Sequence, residues 1–285
     1  MKLIINVDDA GIHPAVGRAV KILAEKGVVT SASLVANGID VVNGAKLTDV
    51  GLGVHLDILR GRPLNHWQSI STIVDENGMF LKTPVSLFRR YAMGKVDHAH
   101  VEKEWSAQIE YVIDLGVRPT HLSSHKHIHA WPSLTRMAGD LAKRYNIGWM
   151  RKPEECSEIS RLDKGGLNAK FLNICGFFDR ETEGVMWSDL FWGIADNGAS
   201  LSTAAFSKYV RRYGAGVAPD AVMELCCHPG MIVAGDPAIE SHYNPIEISG
   251  CWRNEFESLA ESNWGEVINE LGMHLTDFGR LVEAR

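Results

Sequence analysis

The chain has 285 residues, 45% hydrophobic and 22% charged, with a net charge of −6. That length buries a core without disulfide support, and that charge argues against a dedicated nucleic-acid or anionic-membrane binder, which needs a concentrated positive field. No apolar run approaches the roughly 18–20 residues of a bilayer span, and the five cysteines, odd in number and without a CxxC spacing, fit reduced, mostly buried thiols in the cytoplasm.

In chain order, Lys2–Val7 reads as a buried strand running into two carboxylates, Asp8 and Asp9. It is too short for a signal-peptide core. A helix follows over Pro14–Lys26, with Pro14 in its first turn, apolar Val16, Val20 and Leu23, and Gly27 as its stop. Thr30–Ala36 and Leu52–Leu56 are the next strands, the latter carrying His55 between Gly53 and the following leucine. Trp105, Ile109 and Val112 mark one face of a helix over Val101–Leu115. Thr120–Ser124 is a strand and Pro132–Tyr145 a helix, and Gly148–Arg151, Asp189–Trp192 and Val222–Cys227 are further short strands. Helical patterns return over Trp252–Leu259 and Trp264–Leu271.

This alternation predicts an α/β fold with a parallel sheet of six or seven strands. Eight would close a full barrel, so the pattern points to a distorted or incomplete (β/α) barrel, with an open doubly wound sheet as the alternative. Neither long connection, Gly61–His98 nor Lys152–Met186, is polar enough to be a linker. Residues 1–285 therefore read as one domain with rim insertions.

In such folds, functional side chains gather at the carboxyl ends of strands. Four of the twelve histidines, His121, His125, His127 and His129, fall within nine residues after one strand. If that strand continues, period two puts all four on one face with Ser123, pointing into the barrel mouth. Imidazole is the commonest neutral metal ligand, so one or two of these are expected to bind an ion and the others to support it or face substrate. Adjacent Asp8 and Asp9 at a buried strand end cost repulsion and desolvation unless a cation or hydrogen bonds compensate. One can ligate while its neighbour, facing the other way, acts as a base; alternatively Asp9 and His13 cap the following helix. His55 is open to two readings, a core histidine or a ligand, and its flanking glycines allow close approach of backbone or ligand. His228, locked by Pro229, suits a general acid. For the vicinal Cys226 and Cys227, alternation puts one on each face, and core packing is the expectation. Trp67, Trp187, Phe191 and Trp192 are either rim aromatics able to stack on sugar rings or ordinary core.

The motifs Asp8-Asp9-Ala10-Gly11, Gly27-Val28-Val29-Thr30-Ser31, Gly53-Val54-His55-Leu56, Pro119-Thr120-His121 with His125-Lys126-His127-Ile128-His129, and Glu224-Leu225-Cys226-Cys227-His228-Pro229 resemble those of the YdjC/ChbG carbohydrate deacetylases. The resemblance runs in order from the first strand to about residue 230 and implies a distorted (β/α) barrel that hydrolyses acetamido groups on N-acetylated sugars. It implies one divalent ion on Asp9, His55 and His125, with Asp8 as base and His228 as acid. Two positions depart from the family: Ala10 stands where Phe is usual, and Ser123 where Asp is usual. Ligand softness favours zinc, whereas the family association includes magnesium, so either ion is admitted. His121, His127 and His129 are expected to support the site or meet substrate. Arg151 either orients Asp8 or makes a surface salt bridge. The expected partner is a small carbohydrate, with no nucleic acid and no membrane, and a symmetric homodimer is the default assembly. Two other readings compete: a metal-dependent phosphoesterase, which needs a second set of carboxylate ligands, and a catalytically decayed sugar-binding or regulatory protein, with Ser123 as the mark of decay.

Overall fold

Strand β1 (Lys2–Ala10) runs nine residues, all buried except Lys2. Such a strand needs neighbours on both edges and side chains on both faces. In the computed structural model, which describes residues 1–158, 160–178, 184–240, 243, 245–261 and 263–283, it has them. On one side lie β2 (Ser31–Leu34), β3 (Gly51–Leu56), β4 (His121–Ser124) and β5 (Trp149–Met150); on the other lie β7 (Val222–Cys227) and then β6 (Leu190–Trp192). Every pairing between these strands is parallel, and the short β8 (His274–Leu275) joins Lys2 and Leu3. One further parallel bridge, Trp149 to Met186, links the β5 edge to the segment ahead of β6. The sheet curls into a distorted, incomplete (β/α) barrel, not an open doubly wound sheet.

The helices form where the apolar period and the caps agree. In α1 (Pro14–Glu25), His13 is the N-cap, its Nδ1 accepting from Ala15 N, and Val16, Val20 and Leu23 are buried. A four-residue helix, α2 (Val41–Gly44), follows β2. The Gly61–His98 connection holds α3 (Pro84–Ala92) and leads into α4 (His98–Asp114), which is capped by Asp97 and buries Trp105, Ile109 and Val112. Then come α5 (Leu134–Arg144) and α6 (Lys164–Phe178), the latter inside the second insertion. After α7 (Thr203–Tyr213) the chain closes with α8 (Pro245–Glu261), α9 (Trp264–Glu270) and α10 (Phe278–Glu283). The sequence pattern missed α2, α3, α6, α7, α10 and β8. Among the described residues, no helix is long and apolar enough to cross a membrane.

Two local departures from regular strand geometry shape the functional end of the barrel. The first is a bulge in β1. Val7 pairs with Ala32 and Ala10 with Leu34, so three steps on β1 oppose two on β2, and Asp9 adopts φ +65°. A bulge re-aims side chains that period two would send to opposite faces. The second corrects an expectation: β4 does not continue through the histidine run. It stops at Ser124, and residues 125–130 form a 3₁₀ turn in which Lys126 and His127 have φ of +51° and +55°. Two successive left-handed residues end the alternation, so the four histidines do not share one face.

Candidate active site

The Asp9 half of the site is built from β1, β3 and the turn after β4. Asp9 Oδ1 lies 3.4 Å from His55 Nε2, and the ligating atoms of Asp9, His55 and His125 lie within 4.8 Å of one another. His55 Nδ1 meets the Ser123 hydroxyl at 2.8 Å. A buried guanidinium, Arg60, grips both Asp9 oxygens at 2.6 and 3.0 Å and donates through Nε to Asp57 at 2.6 Å. Asp57 is itself fixed: its Oδ1 accepts from Leu59 N and Arg60 N, and its backbone N–H and C=O pair with the Gln108 amide on α4. Burial by itself would raise the Asp9 pKa, but Arg60 outweighs it and holds the carboxyl ionised, far below the usual range. Burial pushes His55 and His125 down, so both are neutral, the form that ligates.

The Asp8 half is built from β1, β5 and β7. Arg151, wholly buried, forks onto Asp8 with Nη1 to Oδ2 at 2.5 Å and Nη2 to Oδ1 at 2.8 Å, and its Nε reaches Glu224 at 2.7 Å. A surface salt bridge is therefore excluded; Arg151 orients Asp8, and the Phe191 ring lies 5.4 Å from its guanidinium carbon. Asn6 Nδ2 donates to Asp8 Oδ1 at 2.9 Å and to Ser33 Oγ at 2.9 Å. Desolvation works against the Asp8 charge, but Arg151 prevails and keeps it well below the usual carboxylate range. His228 faces Asp8, Nε2 to Oδ2 at 3.8 Å, and its Nδ1 is 3.8 Å from Glu255. Glu255 also accepts hydrogen bonds from the backbone N–H of His228 and of Gly198. Burial lowers the His228 pKa, yet Glu255, with help from Asp8, more than reverses this and the net shift is upward.

The expectation that Asp8 and Asp9 face opposite ways is corrected: the bulge brings both to one cleft. That cleft, about 540 Å³, is lined by Asp8, Asp9, His55, His125, His127 and His228 together with Trp131, Phe171, Tyr243 and Trp252. The other histidines divide. His127 faces the cleft, packs edge-on to Phe191, and is held neutral by burial. His121 is wholly buried behind Asp8, its Nε2 3.0 Å from Ser33 Oγ and its Nδ1 3.0 Å from Thr120 Oγ1. His129 joins β4 to β5, with Nδ1 2.6 Å from Ser124 Oγ and Nε2 2.9 Å from the Arg151 carbonyl. Burial pulls His121 to about 3 and His129 to about 4. Gly53 explains itself here: a Cβ would fall 2.4 Å from the His121 ring, so β3 and β4 close on each other only without one.

The aromatics read as either rim or core divide. Phe191 and Trp192 are core, Trp187 lines a different cavity, and Trp67 is 41% exposed beside His66. Cys226 and Cys227 are both buried, but Cys226 does more than pack: its thiol lies 3.2 Å from Asp8 Oδ2, while that of Cys227 meets the Asn6 carbonyl. Sequence reasoning also missed Arg60, Asp57 and Glu255. The signals were present. Asp57 and Arg60 are one helical turn apart after an apolar strand, and Glu255 interrupts the apolar stripe of Trp252 and Leu259 on α8.

The Asp9–His55–His125 set fits a divalent ion. It offers one ionised carboxylate and two neutral imidazoles, and ligands about 2.0–2.1 Å from a tetrahedral ion stand about 3.3 Å apart, close to the 3.4 Å between Asp9 and His55. A parallel (β/α) barrel with carboxylates and imidazoles converging at its strand ends belongs to the class of barrel enzymes. Residues 2–270 match the model of the YdjC-like protein family, and the chain belongs to that family. A carbohydrate deacetylase of Halalkalibacterium halodurans is 28% identical over 275 residues, spanning 94% of this chain and 99% of its own. One from Oceanobacillus iheyensis is 37% identical over 151 residues, 52% of this chain and 63% of its own. A crystal structure described as a candidate cellobiose-phosphate cleavage protein of Enterococcus faecalis V583 superposes with a TM-score of 0.71 at 25% identity, covering 98% of both chains. The chain is an enzyme of a family whose curated relatives carry the name carbohydrate deacetylase.

Proposed function

We propose that this chain is a divalent-metal-dependent deacetylase that hydrolyses the acetamido group of N-acetylated mono- or oligosaccharides. One observation carries the reading: a metal-competent triad, Asp9–His55–His125, and an acid–base pair, Asp8–His228, open into the same cleft. An ion held by Asp9, His55 and His125 would supply a Lewis acid that acidifies water and polarises the acetyl carbonyl.

The chain's own residues do the proton work. Asp8 stays ionised because Arg151 holds it, so its Oδ2 accepts a proton from the attacking water. Arg151 also fixes the carboxylate plane, which Asn6 steadies from behind. His228, whose pKa is raised chiefly by Glu255, carries a proton on Nε2 and gives it to the departing amine. Without that donation the amine is a poor leaving group. Ser123 accepts from His55 Nδ1, which turns Nε2 toward Asp9. The aromatic walls Trp131, Phe171 and Trp252 suit the apolar faces of sugar rings. The reading takes the whole chain as one domain acting on a small carbohydrate in the cytoplasm.

The test is acetate release from a panel of N-acetylated sugars, with and without a chelator. Activity is expected to vanish with chelation and return with zinc, manganese or magnesium. Undiminished turnover in chelated enzyme, or in His125→Ala, would sink the proposal.

A further inference from the structure

A second convergence of donors lies on the far side of Asp8. Cys226 on β7 sets its Sγ 3.2 Å from Asp8 Oδ2, and His228 Nε2 stands 3.8 Å from the same oxygen. All three ligating atoms lie within 4.8 Å of one another. Sulfur about 2.3 Å and oxygen or nitrogen about 2.0–2.1 Å from a tetrahedral zinc are separated by about 3.3–3.6 Å, and the two measured separations bracket that range. Asp8 and Cys226 are buried and His228 is partly so, which makes this a shielded pocket rather than a surface cluster. Glu224, two residues before Cys226 on the same face of β7, adds a second observation. It is wholly buried, and its Oε2 has no hydrogen-bond partner among the described residues. Asp8 and Glu224 thus share one guanidinium, that of Arg151; burial, with Asp8 nearby, pushes the Glu224 carboxyl up in spite of it, and a divalent cation here would favour its charged form.

We infer that Asp8, Cys226 and His228 form a second site, for a thiophilic divalent ion such as zinc or cadmium, whose occupation inhibits the enzyme. Cys226 binds as thiolate and His228 through a deprotonated Nε2, each forming a bond to the metal and releasing one proton to solvent. Sulfur selects zinc and cadmium over magnesium, which keeps oxygen ligands. The site is not half of a two-metal hydrolytic centre, because an ion here occupies the two side chains that accept and donate protons. That inhibitory consequence rests on the proposed deacetylase reaction; binding of the ion does not.

Cadmium titration of the ion-free full-length protein tests both parts. Equilibrium dialysis counts bound ions, and the sulfur-to-cadmium charge-transfer absorbance in the ultraviolet reports the thiolate. Wild type is expected to bind two ions with the absorbance. Cys226→Ser is expected to bind one without it, and His125→Ala to keep it. Zinc beyond one equivalent should lower wild-type acetate release at least tenfold, and Cys226→Ser should resist that fall. Cadmium bound by wild type with no thiolate absorbance overturns the site, with no variant needed; so does equal ion count and absorbance in Cys226→Ser. If the Cys226-dependent signal appears but no metal yields acetate release, the site stands and the deacetylase reading fails. If acetate is released and no such signal appears, the deacetylase reading stands and the second site fails.

Discussion

Asp8 and Asp9 are adjacent in the chain and line the same cleft, yet they live in different electrostatic surroundings. Asp9 is gripped by Arg60, which Asp57 anchors, and looks toward His55 and His125. Asp8 is gripped by Arg151, which Glu224 anchors, and looks toward His228 and Cys226. The two halves use one device, a buried arginine shared by two carboxylates, to hold a carboxylate ionised where desolvation would protonate it. They differ in their imidazoles. Those beside Asp9 are driven neutral, while the one beside Asp8 has its pKa raised by a further carboxylate, Glu255. Neutral imidazoles suit a metal and a protonated one suits an acid. The division of labour between neighbouring aspartates follows from the partners each meets.

The largest expected effects come from deleting the chemistry of either half. Asp8→Asn and His125→Ala should each lower acetate release by about 10²–10⁴-fold, but only His125→Ala should lower the manganese content of protein loaded with that ion, which the thiol-bearing set at Asp8 does not hold. Manganese loss in Asp8→Asn would erase the distinction between the halves. Next come the arginines. Arg151→Met strands Asp8 and Glu224, and Arg60→Met strands Asp9 and Asp57, each costing about 3–5 kcal/mol in stability, read from denaturant midpoints. Manganese, which has little affinity for thiols, should restore part of the loss in Arg60→Met and little in Arg151→Met.

Smaller effects sharpen the comparison. Ser123→Ala removes the partner of His55 Nδ1 and should weaken metal binding by about 10–100-fold, measured by competition with a chelating dye. The mildest change concerns pH. His228 has a raised pKa and acts in its protonated form, so activity should persist above the ordinary histidine value of 6.5 and fall as pH climbs through the shifted pKa. Glu255→Gln should move that alkaline limb to lower pH. An unmoved limb in the pH–rate profile would remove His228 from the acid's role.

Much of this arrangement was legible in the sequence because the signals were local. Apolar runs ended by Gly, Pro or carboxylates marked most strands, and the i, i+4, i+7 spacing of Trp105, Ile109 and Val112 marked α4. The Asp8-Asp9 pair, His55, the histidine run and His228 stood at the ends of four strands, β1, β3, β4 and β7, where a parallel barrel gathers its chemistry. What misled was the assumption of unbroken alternation. The left-handed pair Lys126–His127 leaves His125 and His127 in the cleft and sends His129 back to pair with Ser124 and the Arg151 carbonyl. Ser123 could be read only as a missing carboxylate; its hydroxyl in fact meets His55.

The sequence by itself determined the strand–helix alternation, the family and the set of side chains from which a site could be drawn. These depend on composition and spacing within a few turns of chain. Tertiary structure alone decided which charges meet. Arg60 reaches Asp9 across 51 residues, Arg151 reaches Asp8 across 143, and Cys226 reaches Asp8 across 218. No periodicity encodes those distances, because they arise from strands far apart in sequence lying side by side in the sheet. The same holds for the bulge at Asp9, whose positive φ is set by the β1–β2 register, and through it two carboxylates meant by alternation to part company share one cleft.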